Sequence, residues 1–548
     1  MILAEVHQHS ESPYHIMPRT RTLPILPILS ILLLALLLGG CGSLAPTHAA
    51  PPRPTAPVLP TIRPTFATVR PSTAPLPPVP ATTTPPPTPT TPPTPEPLPS
   101  QAAAMRATFA GDLATLPNIP HYTLRLEFAP DQHLLNGVMR LIYTNTVGVS
   151  LETLALRLYP NFPQDLFGSG GDTRMEITAA SVAGGPVPIS YAAADTALIV
   201  PLDPPLGPDA SVTVDLAFTA TVQAWQDGSY PLTGYYPMLA VWGDDGWRLD
   251  VSRFPDHIFA ETALYSVTVT APTALTVAAT GSTLATRLNP DDKRTWQIVT
   301  GPVRQFALSI GDYVSLSEQV GDVQVTAYTQ RGNGLFLREY LRTAASALAT
   351  FERLFGAYPY RELDLHLLPY TFNGGDEYPG LIFVYTSGTF GAGARYVTAH
   401  EVAHQWWFAI VGNDIFTEAW LDEAFAQYSG ILAVAELAGP EAAATDYERE
   451  VLYRYQGALA DGDLPIGWSI TRYSDFNVYY RTVYGKGAVF LATLREQLGD
   501  EVFFAALQRY YNRHRYGVAT GRDVQAAFEQ ASGRDLEPIF RTWVYGWE

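Results

Sequence analysis

Two histidines and a glutamate lie at a spacing that suits a metal ion. His400, Glu401 and His404 fall within five residues, and the histidines are four apart. On a helix, side chains four residues apart project from the same face about one turn apart. Two neutral imidazoles and one carboxylate are ligands that zinc accepts, and a catalytic zinc keeps its fourth position for water. A glutamate inside such a motif acts as a base and not as a ligand.

A third metal ligand is available further along the chain. The turn residues Gly412-Asn413-Asp414 end the first helix, and Thr417 offers an N-cap for a second. That second helix brings Glu423 back toward the first. The sequence therefore predicts one Zn²⁺ held by the two histidines and Glu423, with the motif glutamate as the base.

Hydrophobic periodicity predicts two regions of different structure around this motif. From residue 101 to about residue 315, short runs alternate apolar and polar side chains between turn residues, which predicts a β-rich domain. From residue 316 to 548 the period is mainly helical, which predicts an α-rich domain with a small sheet. Helices are expected at residues 337–355, 396–410, 418–438, 484–498, 501–513 and 521–532, and strands at 363–368 and 381–385.

The first forty residues have the composition of an export signal. Their apolar run, residues 28–38, follows basic residues and is shorter than the roughly 20 residues that a membrane-spanning helix needs. It ends in Leu-Gly-Gly-Cys-Gly at residues 38–42, which resembles the lipobox of bacterial lipoproteins. That resemblance implies cleavage before Cys41 and lipidation of its sulfur, so that the protein is exported and anchored to the cell membrane on its outer side. The alternative for this single cysteine is an ordinary buried thiol.

Composition also indicates the structure of the segment that follows the predicted signal peptide. Residues 41–100 are rich in proline and threonine and cannot bury enough apolar surface to fold, so we expect an extended tether. A ligand for proline-binding modules is the alternative.

The formal net charge of the whole chain, −18, argues against a nucleic-acid partner, because neutralising phosphates needs a basic surface.

The pattern of site residues resembles that of the aminopeptidase N family of gluzincin metallopeptidases. The family pattern is H-E-x-x-H, eighteen residues and E, and residues 405–422 are those eighteen. Residues 374–380, Gly-Gly-Asp-Glu-Tyr-Pro-Gly, occupy the place of the family's G-A-M-E-N motif. Residues 483–487, Val-Tyr-Gly-Lys-Gly, are similar to the segment that holds its catalytic tyrosine. The β-rich region is similar to the family's saddle-like domain, so the resemblance spans about residues 105–545.

The resemblance implies a fold, an activity and a set of roles. The fold is a β-rich saddle-like N-terminal domain followed by a thermolysin-like α+β catalytic domain. The activity is removal of N-terminal residues from peptides by a zinc enzyme, which we expect to be a monomer. Glu401 would be the base and Tyr484 the donor to the oxyanion, while Glu377, with Gly374 and Gly375, would bind the substrate's free α-ammonium.

Departures from the family pattern keep two alternatives open. Asp376 and Tyr378 stand where the family has Met and Asn, and the extra carboxylate would either favour a cationic group or point to solvent. One alternative is an endopeptidase or another hydrolase on the same zinc site. The other is a surface lipoprotein that uses the fold for binding without turnover.

Several aromatic and polar residues near the motif have structural interpretations. We expect Trp406, Trp407 and Phe408 to pack in the core and not to contact substrate. His366, on the strand before the Glu377 loop, is expected to be a structural histidine, with a place in the cleft as the alternative.

Overall fold

The computed structural model describes residues 100–162, 173–252, 254 and 258–546. The predicted signal peptide, the lipidation site at Cys41 and the tether up to Pro99 lie outside the described residues. No helix in the described part of the chain is long and apolar enough to cross a bilayer.

The region before residue 312 is built of strands, as the period-two pattern predicts. In the described residues the largest sheet has the order β15-β16-β13-β1-β2-β8-β4-β5. Strand β1 alternates exposed and buried side chains, and its buried face includes Tyr122, Leu124 and Phe128. The strands are β1 His121–Ala129, β2 Leu134–Thr144, β3 Leu151–Arg157, β4 Met175–Val182, β5 Gly185–Pro186, β6 Ser190–Ala192, β7 Ala197–Leu206, β8 Ser211–Thr221, β9 Tyr230–Thr233, β10 Met238–Leu239, β11 Trp242–Gly243, β12 Gly246–Trp247, β13 Leu264–Pro272, β14 Thr276–Ala279, β15 Ser282–Leu288, β16 Lys293–Val299 and β17 Ala307–Gly311.

A five-stranded sheet carries the loop with the predicted ammonium-binding residue. Its strands are β18 Tyr313–Val320, β19 Val323–Gln330, β20 Glu362–Pro369, β21 Gly374–Asp376 and β22 Leu381–Thr386, in the order β18-β19-β20-β22-β21. The short strand β21 pairs antiparallel with β22 and forms the edge.

The predicted domain boundary between residues 315 and 316 falls within β18. Hydrophobic periodicity cannot locate this boundary more closely, because β18 and β19 alternate apolar and polar side chains in the same way as the strands before them.

Helices make up most of the chain after the sheet. They are α1 Leu337–Phe355, α2 Ala392–Ala403, α3 Trp420–Ala438, α4 Pro440–Tyr447, α5 Tyr453–Ala460, α6 Phe476–Tyr480, α7 Gly487–Leu498, α8 Asp500–His514, α9 Gly521–Ser532 and α10 Glu537–Phe540, with wider π-type turns at Gln405–Ile410, Glu448–Leu452, Arg481–Lys486 and Arg541–Tyr545. Helices α1 and α9 have the predicted bounds. At α9 the reason is local, because Thr520 and Asp523 form a reciprocal capping box.

The helix predicted at residues 396–410 is regular only to Ala403. Beyond it Trp407 (φ −106°, ψ 47°) and Phe408 (φ 176°, ψ −61°) leave helical backbone angles. The aromatic side chains of this segment are buried, as expected, and Trp406 packs edge-on against Phe351 of α1 at 5.6 Å. Packing in the core therefore accompanies the distortion of the helix.

The predicted N-cap at Thr417 is wrong. Helix α3 begins at Trp420, and Ala419 at its N-cap position makes no side-chain hydrogen bond to the first turn. Residues 414–418 instead form their own turns, in which the Asp414 carbonyl accepts from the backbone N–H groups of Thr417 and Glu418.

A buried arginine joins the β-rich region to the helical region. The Arg304 guanidinium donates to the carbonyl oxygens of Phe408 at 2.8 Å and Ala260 at 3.2 Å, and also to that of Gly517. A Cβ atom on Gly412 would lie 2.0 Å from Arg304 Cζ. Burial lowers the pKa of Arg304 to about 10, so it stays a cation at neutral pH. The position of the Arg304 guanidinium therefore requires glycine at position 412.

Candidate metal centre and active site

Helices α2 and α3 pack closely enough to bring the three predicted ligands together. His400 lies near the end of α2, His404 at its C-cap, and Glu423 in the first turn of α3. The helices approach at Gly430, where a Cβ atom would lie 3.1 Å from the ring of Tyr396. The Tyr396 hydroxyl donates to the backbone carbonyl of Gln427 at 3.0 Å and ties the two helices.

The three ligand atoms form a triangle that fits a zinc ion. The Nε2 atoms of His400 and His404 are 3.1 Å apart, and each lies 3.5 Å from Glu423 Oε2. A tetrahedral shell with zinc bonds of about 2.0–2.1 Å separates its donor atoms by about 3.3–3.4 Å. Glu423 Oε2 is also buried and makes no hydrogen bond within the described residues. Both observations indicate a metal site.

Two more carboxylates lie beside this triangle. One ligand atom each of Glu377, Glu401 and His404 lie within 4.8 Å of one another. Burial raises the pKa of Glu401 well above its usual range and that of Glu377 to about 7, although the nearby His404 opposes both shifts. Burial acts to lower the pKa of His404, but the charges of the three surrounding glutamates outweigh it and raise that pKa to about 10. Carboxyl groups with raised pKa values can take up and release protons near neutral pH.

The edge strand passes directly over the predicted base. Glu401 is 5% exposed, and a Cβ atom on Gly375 would lie 2.4 Å from Glu401 Cδ. Any side chain at this position of β21 would displace the carboxylate. Gly375 therefore has a steric role in addition to its predicted role in substrate binding.

We expect Gly375→Ala to lower kcat about tenfold without changing metal content, because the added methyl group must push the Glu401 carboxylate from its position. Steady-state kinetics and metal analysis of the purified variant measure both quantities. Gly391→Ala at the start of α2 is the matched control, because a Cβ atom there would meet nothing within 4 Å. Equal kcat values for both variants and the wild type would contradict the steric argument.

Tyr484 lies next to the metal ligands, as predicted. Its ring is half-buried and nearly parallel to that of His400, with 6.2 Å between centroids. The adjacent glycines allow tight packing, since a Cβ atom on Gly487 would lie 2.5 Å from that of Ala424 on α3. Lys486 donates to the Leu464 carbonyl at 2.8 Å and anchors the same turn.

Asp376 does not simply point to solvent, which was one of the two alternatives that its sequence context suggested. Its carboxylate accepts a hydrogen bond from the Tyr385 hydroxyl at 2.6 Å, and burial raises its pKa to about 6. Trp225 from the β-rich region stacks on Tyr385 at 5.6 Å. The extra carboxylate is therefore engaged with the sheet and with the aromatic side chains around it.

His366 is a structural histidine, as expected. It is fully buried, and its Nδ1 atom lies 2.8 Å from Ser309 Oγ. Burial lowers the pKa of His366 to about 3, so the ring is neutral. It belongs to the packing between sheets and not to the cleft.

Sequence reasoning missed the residues that support the ligands. Asn413, interpreted only as a turn residue, donates from Nδ2 to Asp422 Oδ2 at 2.9 Å. Asp422 Oδ1 in turn accepts from the backbone N–H of Glu423 at 2.6 Å. Gln405 and Arg304 were also missed, because their partners lie far away in the sequence.

Comparisons with known proteins agree with the predicted resemblance to the aminopeptidase N family. Residues 340–543 match the profile of the Peptidase family M1 domain. Aminopeptidase N of Streptomyces lividans is 27% identical over 313 residues, which are 52% of this chain and 35% of that protein. Aminopeptidase M1-A of Oryza sativa subsp. japonica is 26% identical over 244 residues, which are 42% of this chain and 28% of that protein. The chain thus spans about a third or less of the length of these curated relatives.

A solved structure has the same arrangement of a β-rich and a helical region. The M1 zinc metallopeptidase from Deinococcus radiodurans superposes with a TM-score of 0.59 at 21% identity, covering 78% of this chain and 93% of that one. The similarity confirms the predicted fold class. The matched domain at residues 340–543 and the order of the site residues therefore support the predicted similarity to the aminopeptidase N family.

Proposed function

We propose that this chain is a zinc-dependent aminopeptidase that acts as a monomer on peptides. The observation that carries the proposal is the convergence of five groups. The triangle of His400, His404 and Glu423 fits zinc, and Glu377 and Glu401 lie within 4.8 Å of the same histidine.

The residues around the metal have the chemistry that peptide hydrolysis needs. Zinc, when bound, polarises the scissile carbonyl and acidifies a water molecule. Glu401, buried and with a raised pKa, takes the proton of the attacking water and passes it to the leaving amine. Tyr484, beside His400, donates a hydrogen bond to the developing oxyanion.

The position of Glu377 favours cleavage from the N-terminus. Its carboxylate would bind the substrate's α-ammonium, and it lies within 4.8 Å of the proposed base. At that separation the ammonium group and the scissile carbonyl must belong to the same residue. Strand β21 forms the edge of its sheet, so an extended peptide can pair with it and present its N-terminus to Glu377.

The contents of three related structures agree with this substrate class. Similar M1 zinc metallopeptidases have been crystallised with the peptide Tyr-Ser-Ala, with L-arginine and with L-tryptophan. All three ligands carry a free α-amino group, and their side chains differ widely. The shared group is the one that Glu377 would recognise.

The test compares aminoacyl-anilides with free and with acetylated N-termini. We expect the zinc-loaded protein to hydrolyse only the free series at appreciable rates, and Glu377→Gln to lose most of this preference, because a neutral amide attracts an ammonium group weakly. Comparable rates on both series would indicate the endopeptidase. Absence of hydrolysis with zinc bound would indicate a binding protein.

We further propose that the protein is exported and held at the outer face of the cell membrane by a lipid on Cys41. The support is the signal-like run before this single cysteine and the proline-rich segment after it. Cell fractionation should find the full-length protein with the membranes and the Cys41→Ser protein in the soluble fraction.

A further inference from the structure

Gln405 connects the metal-binding helix to the loop that carries Glu377. It directly follows His404 and is fully buried. Its Oε1 atom accepts from the backbone N–H of Gly380 at 2.8 Å. Its Nε2 atom donates to the backbone carbonyls of Tyr378 at 3.2 Å and Glu377 at 3.5 Å. One side chain therefore contacts three backbone groups of the loop.

The loop is shaped so that these groups face the same side chain. Gly380 has φ +69°, in the left-handed region that glycine adopts readily, and its carbonyl accepts from the backbone N–H of Asp364 on β20. The Tyr378 ring packs against Phe383 of β22 at 5.3 Å. The loop is thus attached to the sheet at both Tyr378 and Gly380, and Gln405 attaches it to the metal-binding helix.

We propose that Gln405 is a positioning residue that fixes the Glu377 carboxylate relative to the metal ligands and thereby sets the preference for a free N-terminus. The inference rests on the proposed aminopeptidase function. Gln405 acts through Glu377 and does not itself contact substrate.

The physical reason is the short span that the substrate must bridge. The ammonium group at Glu377 and the carbonyl at the metal belong to one residue, so the two anchor points must keep their separation to about 0.5 Å. Because Gln405 is next to His404 in the chain, its hydrogen bonds transmit the position of the ligand directly to the loop. Without them the backbone groups of the loop lose buried partners and the loop can shift.

Two variants separate the donor from the acceptor function of the side chain. Gln405→Met keeps the length and removes both functions. Gln405→Glu keeps an acceptor for the Gly380 N–H but loses the donor and places carboxylate oxygens against the carbonyls of Tyr378 and Glu377. At this length only glutamine supplies both functions without first taking up a proton. Gln525→Met on α9 is the matched control, because that side chain is also buried and hydrogen-bonded but binds Glu529 and Glu537.

Kinetics on free and N-acetylated aminoacyl-anilides test the proposal, with zinc affinity from chelator competition and thermal unfolding alongside. For both Gln405 variants we expect kcat/KM on free substrates to fall about 10- to 100-fold, mostly through a higher KM. Rates on acetylated substrates and zinc affinity should stay near wild type, so the selectivity ratio falls. Gln525→Met should lose stability and keep the ratio.

Two results would overturn the inference. One is a wild-type selectivity ratio and KM in a folded, zinc-loaded Gln405→Met protein. The other is a fall in zinc affinity that accounts for the whole loss of activity at an unchanged ratio, because Gln405 would then support only the metal helix. If the wild-type protein itself does not distinguish free from acetylated substrates, the aminopeptidase proposal fails first and by a different measurement.

Discussion

Glu401→Gln is expected to lower kcat about 10²- to 10⁴-fold while the protein stays folded and binds zinc as before. The carboxylate is 5% exposed, its Oε2 atom makes no hydrogen bond within the described residues, and burial raises its pKa well above the usual range. Its Oε2 atom is therefore available to accept a proton. A glutamine has the same shape and cannot take the proton.

Kinetics together with metal analysis distinguish loss of the base from loss of the metal. Glu423→Gln is the informative comparison, because it removes a charged ligand and should lower zinc affinity as well as activity. Wild-type kcat in zinc-loaded Glu401→Gln would contradict the proposed mechanism. Loss of zinc from Glu401→Gln would mean that Glu401 belongs to the metal shell.

Gly412→Ala is expected to lower the free energy of unfolding by about 3–5 kcal/mol. The new methyl group would lie 2.0 Å from the centre of the Arg304 guanidinium, which is 3% exposed and donates to three backbone carbonyls. The arginine cannot move aside without leaving these carbonyls and its own charge buried without partners. Urea unfolding of the zinc-free protein measures the loss.

A double-mutant cycle tests whether this contact is the cause. In an Arg304→Met background the Gly412→Ala change should cost much less, since the clashing guanidinium is gone. Gly207→Ala is the matched control, because a Cβ atom there would contact nothing within 4 Å. If Gly412→Ala costs the same with and without Arg304, the close approach is not what requires glycine.

The relative placement of the two histidines could be predicted because their spacing is local. His400 and His404 are four residues apart on one helix, and helical geometry alone places them on the same face. The bounds of α1 and α9 were also predictable, since periodicity and a capping box act within a few residues. The boundary between the two domains is harder to predict, because the strands on both sides of it alternate apolar and polar side chains in the same way.

The sequence by itself was enough to predict the metal ligands and the base, and it determined the succession of strands and helices. Only the tertiary structure decided how these parts are held. The helix after His404 ends early in a segment whose aromatic side chains pack in the core, Asp376 is bound by Tyr385, and glycines at positions 375 and 412 leave room for Glu401 and Arg304. The physical reason is that these contacts depend on which strands pair and on how strands and helices pack, so neither the spacing of residues nor their secondary-structure propensity predicts them.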